Sequence, residues 1–275
     1  SIRPQNDKQG NPGGRLVESG AMGIENGIWF EINSLELRLP RLGKAYDGFR
    51  LVQISDIHFG TFINRKRLEL VVEKVNNLDP DLIVFTGDLV SDSPDRYSQI
   101  LIECLSELRP EYSVLAVRGN HDHWTDAEAI ANILEDSGFI HLENSVYSLT
   151  KGDDTLHFAG LDCYYERRDR LDQVLARIPE SGAAILLVHE PDFAVVSAPS
   201  ERFDLQLSGH SHGGQVVFPG IGPLFLPKFA KKYPLGLYRI NGMLQYTNRG
   251  IGTSHLRLRI NCPAEVSLFT LRAGV

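Results

Sequence analysis

Residues 82–88 read Leu82-Ile83-Val84-Phe85-Thr86-Gly87-Asp88, an apolar strand that stops at a glycine and a carboxylate. The same theme recurs outward from it. Upstream, Leu68, Val71, Val72, Val75 and Leu78 fall on one face at helical spacing, behind a strand Phe49–Ile54 that ends in Ser55-Asp56-Ile57-His58. Downstream, a helix carrying Leu101, Cys104, Leu105 and Leu108 leads to a strand Val114–Val117 that ends in Gly119-Asn120-His121-Asp122. A third helix is expected to open at Thr125, with Glu128 completing a capping box, and to close at Gly138.

Two further strands repeat the pattern. Ala184–Val188 ends in His189-Glu190-Pro191, and Leu205–Leu207 ends in Ser208-Gly209-His210-Ser211-His212. Toward the start, Leu35, Leu37 and Leu39 alternate with Glu36 and Arg38 as in a half-buried strand. Late in the chain, Asn241-Gly242 between Leu237–Ile240 and Met243–Thr247 predicts a hairpin. Residues 1–23, rich in Gly, Asn, Gln and Pro with no apolar period, read as a flexible tail, linker or cloning remnant. With no internal repeat and no later linker, residues 24–275 are expected to form a single domain.

The bulk figures narrow the function classes. With 275 residues, 42% hydrophobic and 23% charged, the chain suits a soluble protein with a real core. A net charge of −7 without a basic block argues against a general nucleic-acid binder. Cys104, Cys163 and Cys262 are odd in number and far apart, so they read as small core residues. No apolar run approaches the roughly 20 residues needed to span a bilayer. The chain starts Ser1-Ile2-Arg3-Pro4, without a charged-then-apolar leader or an initiator methionine, which leaves an upstream anchor open.

Five strands thus end in short clusters of metal-competent side chains, and nothing comparable stands at their starts. Singly, each cluster is a common accident. Ligands bind at the carboxyl ends of strands in open α/β sheets, so together the five are expected to converge in space. Asp56-x-His58, Gly87-Asp88-x-x-x-Asp92, Gly119-Asn120-His121-Asp122, Val188-His189 and Gly209-His210-Ser211-His212 resemble, in order, the five blocks of the calcineurin-like metallophosphoesterases. Gly213-Gly214-Gln215 and Asn248-Arg249-Gly250 are further similar to a bacterial branch that includes membrane-associated phosphoesterases and enzymes cleaving UDP-2,3-diacylglucosamine.

The resemblance implies an α/β four-layer sandwich, two mixed β-sheets packed face to face with helices on both outer faces. A strictly parallel doubly wound sheet would fit only the first half of the chain. It implies two adjacent metal sites, one held by Asp56, His58 and His212, the other by Asn120, His189 and His210, with Asp88 bridging both. Carboxylate, imidazole and amide oxygen suit Mn²⁺, Fe or Zn²⁺ better than Ca²⁺, with Mn²⁺ the first expectation. Two dications, two aspartates and a bridging hydroxide sum to about +1, which attracts a phosphate despite the acidic chain. Ions roughly 3.5–4 Å apart can activate that hydroxide for in-line attack without a covalent enzyme intermediate.

The resemblance makes His121 the general acid, or a stabiliser of the departing oxygen. Asp122 either favours the imidazolium of His121 by its charge or caps the next turn. Arg249 is a candidate phosphate contact or a surface arginine beside a glycine turn, and Asp92 reads as a loop residue before Pro94. Asn64 and His123 read as background, and Arg257 and Arg259 as part of a half-exposed strand alternating with Leu256, Leu258 and Ile260. Residues 216–238 are apolar, broken by four prolines and edged by Lys228, Lys231 and Lys232. At a site rim they would suit a lipid-linked substrate or an anionic membrane surface; otherwise they pack back on the sheet.

The expected activity is hydrolysis of a phosphodiester or pyrophosphate, with a phosphomonoesterase (including a protein phosphatase) and a non-catalytic metal-binding scaffold as alternatives. Nucleic acid is not an expected partner. The branch resemblance implies a bacterial cytoplasmic or membrane-associated location.

Overall fold

In the computed structural model, residues 29–254 and 256–274 are described; the expected tail, residues 1–23, lies outside them. In chain order the strands are β1 (Phe30–Leu39), β2 (Arg50–Ile54), β3 (Leu82–Thr86), β4 (Val114–Val117), β5 (Ile140–His141), β6 (Ser145–Lys151), β7 (Asp154–Gly160), β8 (Ala183–Leu187) and β9 (Leu205–Ser208). They continue with β10 (Val217–Phe218), β11 (Gly222–Pro223), β12 (Gly236–Ile240), β13 (Met243–Thr247) and β14 (Ala264–Ala273). The α-helices are α1 (Arg65–Asn76), α2 (Ser98–Leu105), α3 (Asn120–Thr125), α4 (Ala127–Asp136), α5 (Leu171–Arg177) and α6 (Ala194–Ser197).

Two large sheets form, in the orders β1-β14-β2-β3-β4-β5 and β12-β13-β9-β8-β7-β6. Both are mixed: β2, β3, β4 and β5 run parallel while β14 opposes β2, and β7, β8, β9 and β13 run parallel between antiparallel edges β6 and β12. The continuous apolar character of the inner strands comes from covering on both faces. In β3, Leu82 and Val84 point into the layer between the sheets, while Ile83 and Phe85 meet α1, α2 and α4. In β8, Ala183, Ile185 and Leu187 share the inter-sheet layer, while Ala184 and Leu186 meet α5 and α6. The four layers implied by the five motif blocks are present.

The expected hairpin is β12–β13, with Asn241 (φ 48°) and Gly242 (φ 90°) both left-handed as its tight turn requires. Two local expectations are corrected. Thr125 does not cap a helix: it ends α3, and the cap of α4 is Asp126, whose carboxylate accepts from Glu128 N and Ala129 N. Leu256–Ile260 is not a strand, since Ile260 makes only an isolated bridge to Val216. Arg259 instead turns inward and donates to the carbonyls of His212, Arg249, Gly250, Gly252 and Cys262.

The sheets are stitched where the motif strands end. Gln53, fully buried on β2, donates to Thr86 Oγ1 on β3 and to the Ser208 carbonyl on β9 of the other sheet. That contact aligns the carboxyl ends of β2, β3 and β4 with those of β8 and β9.

Candidate metal centre

The five motif loops meet at this seam. Asp56, His58 and His212 form one group of converging ligand atoms, and Asp88, His189 and His210 a second, each set within 4.8 Å. His58 Nε2 lies 3.1 Å from His212 Nε2 and 3.5 Å from Asp88 Oδ2; His212 Nε2 lies 3.3 Å from Asp56 Oδ1, and His189 Nε2 lies 3.2 Å from Asp88 Oδ2. All seven residues, Asn120 included, are buried. Asp88 stands between the two groups.

Backbone strain concentrates at the same place. Asp56, His58, Asp88, His210 and His212 all take positive φ, between 45° and 68°, although none is glycine. A left-handed non-glycine residue is uncommon, and five within one cluster mark a site where side-chain direction overrides backbone preference. Cross-loop hydrogen bonds hold these conformations. Asp56 accepts His210 N at 3.1 Å, Asp56 N donates to Gly87 O, and His58 N donates to Asp88 O. A Cβ at Gly119 would overlap Asp88 Oδ1 and the His189 ring, so glycine there is a packing requirement of the site itself.

Outer contacts fix which ring nitrogen faces inward. His189 Nδ1 donates to the Thr86 carbonyl (2.6 Å) and His210 Nε2 to the Lys228 carbonyl (2.8 Å), while His58 Nδ1 and Ser91 Oγ share a hydrogen bond (2.9 Å). The opposite nitrogen of each ring faces the cluster. Burial pushes His58 down to about 3 and His210 to about 4, which keeps both imidazoles neutral. Burial also lowers His189, but the charge and close approach of Asp88 and the charge of Asp56 outweigh it and raise it well above the usual range. Asp56 is raised to about 7, chiefly by burial.

These donors fit divalent cations. Among the described residues Asn120 Oδ1 is buried and makes no hydrogen bond, a costly arrangement for a polar atom unless another partner takes its lone pair, and His189 Nε2 is buried against the Asp88 carboxylate. The close approach of His58 Nε2 and His212 Nε2 beside two aspartates points the same way. Neutral imidazole, carboxylate and amide oxygen without thiolate match ions such as Mn²⁺, Fe and Zn²⁺.

His121 lies at the edge of the cluster, its ring edge-on to His58 at 4.8 Å and its backbone N–H on Asp88 Oδ1. Asp122 takes the capping alternative. Its oxygens accept from Gly119 N, Asp88 N and Leu89 N at 2.7–2.9 Å, tying the loop after β3 to the one after β4. Arg249 departs from its expected place. Its guanidinium pairs with Glu265 (2.5 Å) and Glu31 (3.0 Å), carboxylates distant in sequence, and it does not line the cavity over the Asp/His cluster. Asp92 is exposed in the bend before Pro94, and Asn64 caps α1 by accepting from Arg67 N.

That cavity, of about 250 Å³, is walled on one side by Trp124 and Tyr165 and on the other by Leu224, Phe225, Lys228 and Leu256. The segment 216–238 therefore reaches the site rim. Ile221, Leu224 and Phe225 are 83%, 66% and 64% exposed, so these tips do not pack back on the sheet. Sequence reasoning missed Trp124, Tyr165, Ser91 and Arg259. Of these, Ser91 lay inside the Gly87–Asp92 block and Trp124 two residues past Asp122. Arg259 Nη2 reaches 3.4 Å from His212 Nδ1 across 47 residues of chain, which no local pattern signals.

The profile of the family described as Calcineurin-like phosphoesterase matches residues 49–214. An uncharacterized metallophosphoesterase, YkuE of Bacillus subtilis, is 36% identical over 233 residues, covering 83% of this chain and 81% of its own. Phosphodiesterase YaeI of Escherichia coli is 28% identical, covering 88% of each chain. A transmembrane protein with metallophosphoesterase domain from Danio rerio is 30% identical over 88% of this chain, which spans only 57% of that protein's length. Among solved structures, the Thermus thermophilus sulfate thiohydrolase SoxB superposes with a TM-score of 0.50 at 13% identity, over 82% of this chain and 57% of its own, a likeness of fold alone. No helix among the described residues is long and apolar enough to cross a membrane.

Proposed function

The chain belongs to the calcineurin-like phosphoesterase family, a family of hydrolases with a divalent metal centre, and on that premise we propose that it is a two-metal phosphodiesterase or pyrophosphatase acting on a lipid-linked substrate. The observation that carries the reaction class is the convergence of buried donor atoms around Asp88, above all Asn120 Oδ1, which lacks a hydrogen bond among the described residues. Asp56, His58 and His212 would hold one ion, Asn120, His189 and His210 the other, and Asp88 both. When bound, the two ions, Mn²⁺ first and Fe or Zn²⁺ as alternatives, supply Lewis acidity and an activated water. Residues 24–275 act as one domain in this reading, because the ligands come from both sheets.

The remaining work falls to side chains at the cavity. His121, edge-on to His58, would give a proton or positive charge to the departing oxygen. Burial and the hydrogen bonds to Ser91, Thr86 and Lys228 hold the imidazoles so that no reorganisation is needed as charge develops. The diester and lipid parts of the reading rest on the rim. Leu224, Phe225 and Leu256 offer an apolar bed for a chain attached to the phosphate, with Lys228 beside them. The exposed tips Phe218, Ile221 and Leu258 then suit peripheral contact with a bilayer.

The test is Mn²⁺-dependent hydrolysis of an aryl phosphodiester, the matching monoester and a lipid-linked nucleotide, with and without chelator. Chelator-sensitive cleavage favouring the diester, and higher kcat/KM for the lipid-linked compound, is the expected result. A monoester preference would replace the diesterase reading with a phosphatase. Failure to cleave the lipid-linked compound while the diester is cleaved would remove the lipid.

A further inference from the structure

A second cavity, of about 400 Å³, lies on the other side of the loop at residues 253–262. The loop is a partition. Ser254 and Leu256 line the cavity over the metals, while Arg257, Leu258 and Asn261 line the second one. The volume is within the range of small-molecule sites, ~300–1,000 Å³. Phe62, Leu258, Pro263 and Ala264 make its walls mainly apolar.

Among the described residues, two polar atoms in residues lining this cavity are buried and make no hydrogen bond: Thr253 Oγ1, on a residue only 2% exposed, and Trp29 Nε1. Buried polar groups normally find a partner, and a purely apolar occupant would leave these two unsatisfied. Both can donate a hydrogen bond. Arg257, exposed on the same lining, adds a cation. Hydroxyl, indole N–H and guanidinium together with an apolar wall describe the complement of an acyl chain that ends in carboxylate or ester oxygens. We propose that this cavity is a binding site for such a chain, separate from the metal cavity and independent of what is hydrolysed there. The chain could be free fatty acid or part of a larger lipid, and the chemistry of recognition is shared.

Trp29 and Trp124 are the chain's two tryptophans, so Trp124→Phe in the full-length protein leaves Trp29 as the reporter within the cavity. A brominated fatty acid, titrated below its micelle concentration, is expected to quench Trp29 saturably. Arg257→Ala should weaken that binding about tenfold, the scale of one charge-assisted hydrogen bond. Leu258→Glu, at an exposed position that leaves folding intact, should abolish it. Displacement by an acylated phosphoester but not by its deacylated headgroup would assign the chain to a larger lipid; displacement by free fatty acid alone would assign it to a separate ligand. Absence of quenching, or quenching that is unsaturable and unchanged in both variants, overturns the proposal. So does quenching that appears only after deletion of residues 1–28, which would give the cavity to the chain itself.

Discussion

The carboxylate of Asp122 accepts three buried backbone amides, from Gly119, Asp88 and Leu89, and thereby fixes the distance between the loops that carry Asp88 and Asn120. Its contribution to the site is positional. Asp122→Ala would leave those amides without acceptors, at a cost of about 3–5 kcal/mol. The expected outcome is a lower urea midpoint together with weaker Mn²⁺ binding, although no ligand has been touched. Wild-type metal affinity in that variant would show that the loops hold themselves. His121→Ala is expected to behave in the opposite way, keeping both metals while kcat falls by about 10²–10⁴. Metal content measured beside turnover separates the two. Neither role could be read from the His121-Asp122 pair itself, because adjacency in sequence does not say which way a carboxylate turns.

At the level of elements, the motif strands end where they were expected to, but the turns and helices beyond those ends are shaped by the site. Helix α3 is six residues long, begins at the proposed ligand Asn120, and is capped through Gly119, which has no side chain to signal it. No 3.6-residue period could reveal a helix of that length, and Thr125 looked like a cap only because Glu128 stands at the right interval. Gly119→Ala tests the coupling. A Cβ there meets Asp88 Oδ1 and His189, so metal binding should be lost while the helical and strand signal by circular dichroism persists. Loss of the whole fold instead would mean that the loop is needed before the sheets can join.

His157 on β7 offers a test away from the metals. Its Nε2 donates to the Ser181 carbonyl and its Nδ1 accepts from Ser148 on β6, a neutral tautomer with both nitrogens satisfied. Burial lowers its affinity for a proton below the usual 6.5, partly countered by the Ser181 bond and aided by Arg202. The unfolded chain takes up that proton as pH falls through about 6.5 and the folded chain resists it, so this contribution is complete above 6.5 and declines below. The stability advantage of wild type over His157→Gln, read as urea midpoints, is expected to shrink between about pH 7.5 and about pH 5. An advantage that stays constant would mean that His157 titrates normally in the fold.

Across the whole molecule, charge is divided unevenly. Between Asp204 and Glu265 the chain carries seven lysines and arginines and no acidic residue. That segment is +7, so the rest is −14 to give the total of −7. It holds the exposed tips Ile221, Leu224, Phe225, Leu256 and Leu258, with Lys228, Lys231 and Lys232 within the same stretch. Each cation near an anionic bilayer contributes about 1 kcal/mol, falling off within a Debye length. The protein is therefore expected to bind vesicles containing phosphatidylglycerol, less so as salt rises from about 0.1 M to about 1 M. Reversing Lys231 and Lys232 to Glu should weaken binding at least tenfold. Equal binding to neutral vesicles would leave only the apolar tips as the cause.

The sequence by itself determined the strand–cluster–helix order, the candidate ligands and the hydrolase class, because strand periodicity and the residue types that can hold metals are both local properties. It also contained the charge division, although the total of −7 concealed it. Only the tertiary structure decided where long-range partners fall. Glu31 and Glu265 hold Arg249 outside the lining of the cavity over the cluster, five carbonyls draw Arg259 inward beside His212, and Lys228 O fixes the ring of His210. An arginine or histidine carries no mark of which distant acceptor will reach it, since that depends on how two sheets pack face to face.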